Sequence, residues 1–590
     1  MTPPLSVRAA LAGRRLLVTG ATGFLGKVWL AHLLAELPEL GPVAVLVRPG
    51  RAGARARLEE LLATSPAFWP LHEHHGADLG RALAGRLEPL AGDVATPDLG
   101  LDAATLARLA GHVDLVVHLA GITDLEPTLE DALATNVDGA RHALDVARRV
   151  GARLLHVSTA YVAGARRGLV EERVPPGSPG DPAFDAAREL TDLRRLVRRA
   201  REEAREQAVE RDLIDRARTA LARQGLEGQD AEPELEAAVA RERAAWIAAR
   251  TDGEARARAA RWGWANVYTM SKALAEAALV AEAGTVPLSI ARPSIVESAR
   301  TFPFPGWKEG LETSGPLTWA LTRGPLRALP ARPGLILDIA PVDLVARGLT
   351  LLAAAHLEAG ASDGERSLRS GDRPPAVAHL GTSTTNPLTI TRTVELTALA
   401  YRHMEGRDRG PLDARALLTP DAAATGDLAY RTTSVPLLRR LAGAARAAAD
   451  LAAGALEALP EPARALLPRA LGDDPAAKAR GWSRQADRAQ KKLGELDETV
   501  ARFRPFVLEF DVTFEAAALE GLAARLVAAE QAAFGWEPRS IDWRAYWLDV
   551  HLPGLRRWVW PLLEHQRLEK LPRRPISLAA PSLAEPRPLA

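Results

Sequence analysis

The sequence of 590 residues predicts an α/β fold, a doubly wound parallel sheet followed by a mainly helical C-terminal part. Three observations lead to this prediction. Short apolar runs alternate with amphipathic helical patterns through the first 160 residues, and a glycine-rich turn joins the first run to a long helix. After about residue 410 the pattern is helical and rich in Ala. A chain of this length exceeds one hydrophobic core, so we expect two or more domains.

Five apolar runs are predicted to be strands of the sheet. In chain order they are RRLLVTG, PVAVLVR, LEPLAGD, VDLVVHLAG and ARLLHVSTAYV. Each run is short and apolar, as expected of a parallel sheet that helices cover on both faces. A later stretch, AVAHLGTSTTNPLT, resembles a last strand that returns to the same sheet.

A glycine-rich turn, TGATGFLG, follows the first strand. Gly20, Gly23 and Gly26 are spaced three apart, and glycine allows both a tight turn and a close approach of the backbone to a ligand. The helix that follows points its N-terminal N–H groups at the turn, an arrangement that suits a pyrophosphate. The turn therefore predicts a dinucleotide site.

The end of the second strand indicates which dinucleotide binds. The stretch LVRPGRAGARARL contains Arg48, Arg51 and Arg55 and no acidic residue. An acidic residue here would bind the ribose 2′-hydroxyl of NAD, whereas arginine suits a 2′-phosphate. The sequence therefore favours NADPH.

Two further polar residues are candidates for this site. Asp93 follows the third strand, where its carboxylate could accept a hydrogen bond from the adenine amino group. The fourth strand ends in HLAG, and its small residues Ala120 and Gly121 leave room for a dinucleotide. Asn136 begins the next predicted helix, where both a role in the site and an N-cap are consistent with the sequence.

The stretch WANVYTMSKALAE places Tyr268 four residues before Lys272, on one face of a helix. The chain has 5 Tyr and only 7 Lys among its 75 basic residues, so about 0.06 such pairs are expected by chance. Ser158 and Thr159 follow the fifth strand, where open α/β folds bind ligands. We expect a hydroxyl there to bind a substrate carbonyl, Tyr268 to protonate its oxygen, and the Lys272 ammonium to lower the phenol pKa.

Seven stretches occur in the order seen in alcohol-forming fatty acyl-CoA reductases. They are TGATGFLG, LVRPG, GDVATPDLGL, HVSTAYV, VYTMSKALAE, ARPSIV and PFPGW. Over residues 13–400 the chain resembles this family of extended short-chain dehydrogenases with a male-sterility-type reductase domain. The resemblance implies a Rossmann fold and the NADPH-dependent reduction of long-chain fatty acyl-CoA to the aldehyde and on to the primary alcohol.

The same resemblance implies roles for individual residues. Thr159 matches the active-site hydroxyl, with Ser158 as the alternative by one position, Tyr268 matches the catalytic tyrosine, and Lys272 matches the catalytic lysine that also holds the nicotinamide ribose. The cofactor-binding residues, including those named above, are Gly20, Thr22, Gly23, Phe24, Leu25, Gly26, Arg48, Asp93, Val94, Ala120, Gly121, Asn136, Tyr268, Lys272, Pro293, Ser294 and Ile295.

The chain is expected to divide into two domains. Residues 1–405 would form the NADP-binding reductase domain, with a charged helical insertion at about 183–260, and residues 410–590 the mainly helical C-terminal domain. The insertion is either a set of solvated helices or a lid over the acyl-CoA entrance. The resemblance gives the C-terminal domain a role in enclosing the acyl chain or in contacting a membrane.

Composition excludes several classes of site. The chain has no Cys, which removes disulfides, thiolate metal sites and a Cys acyl-enzyme. The stretch HEHHG (residues 72–76) lacks metal-ligand spacing and is predicted to be a loop, so no metal is expected. The net charge of +1 indicates no nucleic-acid partner. With no apolar run of about 18 residues and no secretion signal, we expect a cytoplasmic protein, either free or in peripheral contact with a membrane.

Three alternatives remain open from the sequence. The first is a thioester reductase that stops at the aldehyde or that takes its substrate from a carrier protein. The second is another extended short-chain dehydrogenase, acting on a sterol or a nucleotide sugar. The third is a dinucleotide sensor without activity; such proteins typically lack the Tyr/Lys pair, which is present here.

Overall fold

The computed structural model describes residues 3–174, 183–226, 232–323, 326, 328–361, 376–409, 423–460, 474–568 and 571–578. The strands within them are β1 (Leu16–Thr19), β2 (Val43–Val47), β3 (Leu87–Ala91), β4 (Leu115–His118), β5 (Arg153–Val157), β6 (Arg167–Val170), β7 (Leu288–Pro293), β8 (Ile295–Glu297), β9 (Ala328–Pro330), β10 (Ile339–Pro341), β11 (Ala376–Leu380), β12 (Ala423–Thr425) and β13 (Asp511–Phe514).

Seven of these strands form one parallel sheet in the order β3–β2–β1–β4–β5–β7–β11. The five predicted apolar runs supply β1 to β5, and the stretch AVAHL supplies the edge strand β11, which confirms the doubly wound α/β fold. Strands β1, β2 and β4 are buried along their whole length. Strand order reverses between β1 and β4, and this reversal opens a crevice at the carboxyl ends of the two strands.

Helices cover the sheet and form most of the C-terminal third. Their bounds are α1 (Val7–Leu11), α2 (Phe24–Glu36), α3 (Gly53–Thr64), α4 (Trp69–His75), α5 (Leu79–Leu83), α6 (Ala103–Leu109), α7 (Leu129–Ala132), α8 (Gly139–Val150), α9 (Ala186–Glu203), α10 (Gln207–Ala222), α11 (Glu232–Arg261), α12 (Val267–Glu282), α13 (Gly315–Arg323), α14 (Val342–Ala361), α15 (Ile390–Arg409), α16 (Asp427–Thr433), α17 (Val435–Ala458), α18 (Pro475–Arg504), α19 (Ala517–Arg525), α20 (Gln531–Phe534), α21 (Trp543–Ala545), α22 (Leu552–Trp558) and α23 (Trp560–Leu563).

The segment expected to be a charged helical insertion contains α9, α10 and α11. The first of these helices begins at Asp185, whose carboxylate accepts hydrogen bonds from the N–H groups of Ala187 and Arg188. The inner face of α9 packs Leu193 and Val197 against the start of α12, while ion pairs such as Arg258–Glu189 join α11 to α9. The choice between solvated helices and a lid stays a prediction.

The main apolar core joins residues from both ends of the chain. It contains Trp29 from α2 and Leu351 from α14 together with Trp547, Leu555 and Trp560 from the C-terminal helices. Three two-stranded parallel pairs, β6–β13, β8–β10 and β9–β12, make further links over long sequence distances. The division into domains near residues 405–410 stays a prediction, and the residues on its two sides share this core.

The stretch HEHHG does not form the predicted loop. It lies in α4, because the neighbouring Phe68 and Leu71 are buried in the main core and hold the segment against α2 and α3. The His72 ring bonds to the Leu62 carbonyl at 2.9 Å. In the part of the chain that the structure describes, no cluster of His, Asp and Glu is arranged to hold a metal ion. Nor does any helix of the described residues have the length and apolar character needed to cross a membrane.

A buried ion pair holds α12 against the sheet. Glu276 on α12 and Arg292 on β7 are both fully buried, and the guanidinium donates from Nε at 3.0 Å and from Nη2 at 2.5 Å to the two carboxylate oxygens. Arg292 also reaches His379 on β11 at 3.4 Å. Since Tyr268 and Lys272 lie on α12, the pair fixes both of them relative to the carboxyl edge of the sheet.

Glu276→Gln is expected to lower stability by ~3–5 kcal/mol, because it leaves the Arg292 guanidinium buried without a carboxylate. The measurement is the thermal unfolding midpoint by circular dichroism. Glu282→Gln on the same helix is the matched control: its partner Arg141 is partly exposed, and such pairs contribute about 0–1 kcal/mol. Equal midpoints for the two variants would show that the buried pair does not hold the helix.

Candidate active site

Tyr268 and Lys272 lie in the first turns of α12. Asn266 caps this helix, and its Oδ1 accepts a hydrogen bond from the Thr269 N–H at 2.9 Å. The cap fixes where the helix begins, and the four-residue spacing then turns the phenol and the ammonium toward the same side. Both side chains line a cavity of about 760 Å³ at the carboxyl edge of the sheet.

Both candidate hydroxyls after β5 line the same cavity. Thr159 begins a 3₁₀ turn over Ala160–Ala163; its Oγ1 accepts from the Tyr161 N–H at 3.3 Å and donates to the Pro293 carbonyl at 3.4 Å. Thr159 is also hydrogen-bonded to the Tyr268 phenol. Ser158 Oγ is buried and has no hydrogen-bond partner among the described residues. The contact with the phenol favours Thr159 as the active-site hydroxyl.

Burial raises the pKa of the Tyr268 phenol from 10.0 to about 12, although the hydrogen bond with Thr159 acts in the opposite direction. The predicted lowering of this pKa by the Lys272 ammonium is therefore wrong: desolvation of the phenolate dominates, and Lys272 is not among the causes of the shift. The phenol is accordingly protonated at neutral pH, the state that an acid needs.

Lys272 occupies a tight site between the sheet and Asn136. Its Nζ donates to the Val157 carbonyl at 3.2 Å. A Cβ on Gly121 would lie 2.8 Å from this Nζ and 3.0 Å from Asn136 Oδ1, so a side chain there would displace the ammonium from its present position. Burial lowers the Lys272 pKa from 10.5 to about 8, and the negative charge of Glu276 opposes that change.

Asn136 is not the N-cap of a helix. It lies inside a π-helical turn over Leu133–Asp138, and Thr128 caps the helix that leads into this turn. Its Oδ1 accepts from the Ile122 N–H at 2.8 Å, and its Nδ2 donates to Ser271 Oγ at 2.9 Å. Asn136 is buried behind Gly121 rather than in the cavity wall, so its effect on the site is to position the loop after β4 against α12.

The remaining residues predicted to bind the cofactor line one arm of the cavity. They are Gly20, Thr22, Gly23, Phe24, Leu25, Gly26, Arg48, Asp93, Val94, Ala120, Gly121, Pro293, Ser294 and Ile295. Gly20 has a φ of +75°, and a Cβ there would lie 2.4 Å from the Ala120 nitrogen. Gly23 caps α2 without a side-chain hydrogen bond, which leaves the first N–H groups of the helix for an anion. This arm fits a dinucleotide.

The structure separates the arginines after β2. Arg48 lines the cavity, whereas Arg55 donates from Nη1 to the Leu578 carbonyl at 2.7 Å and Arg51 is not part of the lining. Arg57, which the sequence analysis did not single out, lines the cavity beside Arg48 and donates to its carbonyl at 2.8 Å. Arg55 and Arg57 are two positions apart on α3 and face opposite sides, so only knowledge of the helix start distinguishes them.

A second arm of the cavity is apolar. The resemblance gave the C-terminal part a role in enclosing an acyl chain, but the residues of this arm were not identified from the sequence. Its lining comes from α13, β9, β10, α15 and the end of α18, and consists of Leu317, Leu321, Leu329, Leu337, Ile339, Ile390, Val394, Phe503, Phe506 and Val507. Thr318, Thr393 and Thr397 also line it, and each hydroxyl donates to a carbonyl of its own helix. The hydroxyls are thus already satisfied, and the wall offers a ligand little hydrogen bonding.

Residues 18–349, more than half of the chain, match the family described as male sterility protein, an NAD-binding family. The chain belongs to the male sterility protein family. This membership, together with the fold, makes it an oxidoreductase of the extended short-chain dehydrogenase type with a nicotinamide cofactor.

Sequence similarity to known proteins extends over nearly the whole of this male sterility family member. It is 26% identical to the chloroplastic fatty acyl-CoA reductase 2 of Arabidopsis thaliana over 567 residues, 95% of this chain and 80% of the relative. It is also 26% identical to the alcohol-forming fatty acyl-CoA reductase of Simmondsia chinensis, covering 93% and 98%. Identity to fatty acyl-CoA reductase 1 of Arabidopsis thaliana is 29%, covering 68% and 74%. The resemblance drawn from the seven stretches is confirmed.

The pKa of Lys272 predicts how kcat/KM for the reduced cofactor depends on pH in this family member. The lysine is an ammonium below about pH 8 and becomes neutral above it, so it loses its attraction for an anionic cofactor as the pH rises. We expect kcat/KM for the reduced cofactor to be level below pH 8 and to fall about tenfold per pH unit above it. Lys272→Met, with no titrating group at this position, should give a low and level profile. A wild-type profile that stays level to pH 10 would contradict the assignment.

Proposed function

We propose that the chain is an NADPH-dependent reductase that converts long-chain fatty acyl-CoA to the fatty aldehyde and then to the primary alcohol. The proposal rests on one observation. The arm that fits a dinucleotide and the apolar arm belong to the same cavity, and Thr159, Tyr268 and Lys272 line it as well. The names of the relatives, among them an alcohol-forming enzyme, agree with it.

In the first arm, the N–H groups at the start of α2 would hold the pyrophosphate, and Asp93 would accept from the adenine amino group. Arg48 and Arg57 present two guanidinium groups at the end of β2, which suits a 2′-phosphate. Lys272 would hold the nicotinamide ribose. When bound, the cofactor supplies hydride to the substrate carbon.

Thr159 and Tyr268 would act on the substrate oxygen. The Thr159 hydroxyl would rotate from the Pro293 carbonyl and donate its hydrogen bond to this oxygen. The Tyr268 phenol would donate the proton that the oxygen gains as the carbonyl is reduced. The raised phenol pKa keeps Tyr268 protonated until that oxygen becomes a stronger base. As the C–S bond of the hemithioacetal breaks, the Tyr268 phenolate would take back the hydroxyl proton, and aldehyde and the CoA thiolate form. The phenol is then protonated again and can donate to the aldehyde oxygen when a second reduced cofactor delivers hydride. No cysteine is needed, and the chain has none.

The apolar arm would hold the acyl chain. Each methylene buried there contributes about 0.8 kcal/mol, so affinity rises with chain length until the arm is full. Its walls come from both sides of the predicted domain boundary. They include Leu317 and Leu321 on α13, Ile390 on α15, Phe503 on α18, and Phe506 in the π-helical turn that follows α18. Under this proposal the C-terminal part of the chain encloses the acyl group.

The proposal is tested by measuring NADPH consumed per CoA released when purified protein reduces palmitoyl-CoA. We expect two NADPH per CoA and hexadecanol as the product. Tyr268→Phe keeps the ring and removes the proton donor, so turnover should fall by roughly 10²–10⁴-fold while NADPH still binds. One NADPH per CoA would make the enzyme aldehyde-forming. Tight NADPH binding without consumption would reject acyl-CoA as the substrate.

The choice of NADPH is tested separately at α3. Arg57→Ala removes a cavity guanidinium and should raise KM for NADPH by roughly tenfold or more, the loss of a charge-assisted hydrogen bond, while KM for NADH stays the same. Arg55→Ala is the matched control, two residues away and bonded to the Leu578 carbonyl instead. If both cofactors lose affinity equally in Arg57→Ala, this arginine does not bind a 2′-phosphate.

A further inference from the structure

Lysine is rare in this chain, which has 7, and three of those that the structure describes are buried in or beside the cavity wall. Lys272 belongs to the site described above. Lys308, which follows the PFPGW stretch, is 4% exposed and lines the cavity. Lys27 on α2 is 6% exposed and binds the carboxylate of Glu309 at 2.5 and 2.7 Å. Neither Lys308 nor Lys27 has a role in the chemistry proposed so far.

Lys308 is held rigidly. Its Nζ donates to the Val296 carbonyl at 3.0 Å, lies 3.7 Å from Glu297 Oε2, and sits 4.3 Å from the centre of the Phe24 ring. Glu297 is itself fully buried, and its Oε1 accepts from the Ser314 N–H at 2.8 Å. The ammonium is therefore fixed beside the start of α2 and the strand β8.

Some hydrogen-bonding groups around Lys308 are unused. Within the described residues, Glu297 Oε2 and Thr313 Oγ1 are buried and have no hydrogen-bond partner. Glu309 and Glu312 also line the cavity, and both are exposed, so this part of the wall opens to solvent. A ligand that entered here would pass the two outer carboxylates first and meet the ammonium deeper in the cavity.

The charges of this wall indicate what kind of ligand fits. Three carboxylates line this wall, and two ammonium groups are paired with them: Lys308 with Glu297, and Lys27 with Glu309. The third carboxylate, that of Glu312, leaves negative charge in excess. The excess of negative charge disfavours phosphate. A neutral secondary amide, which offers one acceptor and one donor, matches an ammonium next to carboxylates. The wall adjoins the dinucleotide arm at Phe24, and its four charged residues are separate from the apolar lining.

We infer that this wall, Glu297, Lys308, Glu309 and Glu312, binds the amide-containing pantetheine arm of the thioester substrate. Lys308 donates to an amide carbonyl, and the outer carboxylates accept from amide N–H groups. The inference rests on the proposed function, because it assigns a place to the part of an acyl thioester that the apolar arm does not hold. CoA and carrier proteins both present this arm.

The test compares substrates with and without the arm. Lys308→Met combined with Glu297→Gln removes the ammonium without leaving a lone buried carboxylate. For palmitoyl-CoA and palmitoyl-pantetheine we expect kcat/KM to fall roughly 10- to 100-fold, the effect of a lost charge-assisted hydrogen bond. Hexadecanal, the second substrate of the same site, has no pantetheine, so its KM and kcat should stay within about twofold. Wild-type rates with palmitoyl-CoA and a palmitoyl-loaded carrier protein identify which source supplies the arm.

Several outcomes would overturn the inference. An equal loss with hexadecanal would mean that Lys308 supports the site as a whole. A loss with palmitoyl-CoA but not with palmitoyl-pantetheine would place the nucleotide end of CoA here instead. Lys478→Met, on α18 and outside the cavity lining, is the control and should behave as the wild type does. Failure of the proposed function looks different, since the wild type would then reduce no thioester at all.

Discussion

The ion pair between Glu276 and Arg292 is the constraint on which the rest of the site depends. It joins α12 to β7, and both side chains are buried away from water. Moving the helix away from the strand would leave each charge buried without its partner, which is costly in free energy. Arg292 extends the contact to His379, whose ring in turn bonds to the Glu515 carbonyl at 2.8 Å. Helix, sheet edge and C-terminal segment are thereby aligned by one connected group of polar side chains. Burial lowers the pKa of Lys272, one turn away, and the negative charge of Glu276 partly opposes that change.

Burial sets the protonation states at the site more strongly than the proximity of the two reactive groups does. Removing water from the phenol raises its pKa to about 12, and removing water from the ammonium lowers the pKa of Lys272 to about 8. Both changes favour the neutral form of each group. A tyrosine with a raised pKa is a weak acid, which gives its proton only to a strongly basic oxygen. A carbonyl oxygen becomes strongly basic when its carbon accepts hydride.

Local rules explain what the sequence could predict. The strands and the glycine turn depend on nearby residues, and so does the four-residue spacing of Tyr268 and Lys272. Other features depend on geometry that short stretches do not encode. Arg57 rather than Arg55 faces the cavity because α3 begins at Gly53, and Asn136 lies in a π-helical turn whose extra residue no pattern marks. The apolar arm brings together residues almost 200 positions apart, such as Leu317 and Phe506, and each of them reads as an ordinary core residue in its own helix.

The two ends of the described chain interlock. Leu5 pairs with Leu526, and the carboxylate of Glu530 accepts from Ser6 Oγ at 2.7 Å and from the Val7 N–H at 2.6 Å, capping the N-terminal helix from more than 500 residues away. Trp547 and Trp560 then complete the core that Trp29 begins. The apolar residues around α1 are therefore covered only when residues more than 500 positions further along the chain have folded against them. Contacts of such long sequence separation make this core slow to close, and its apolar residues are open to aggregation until it does.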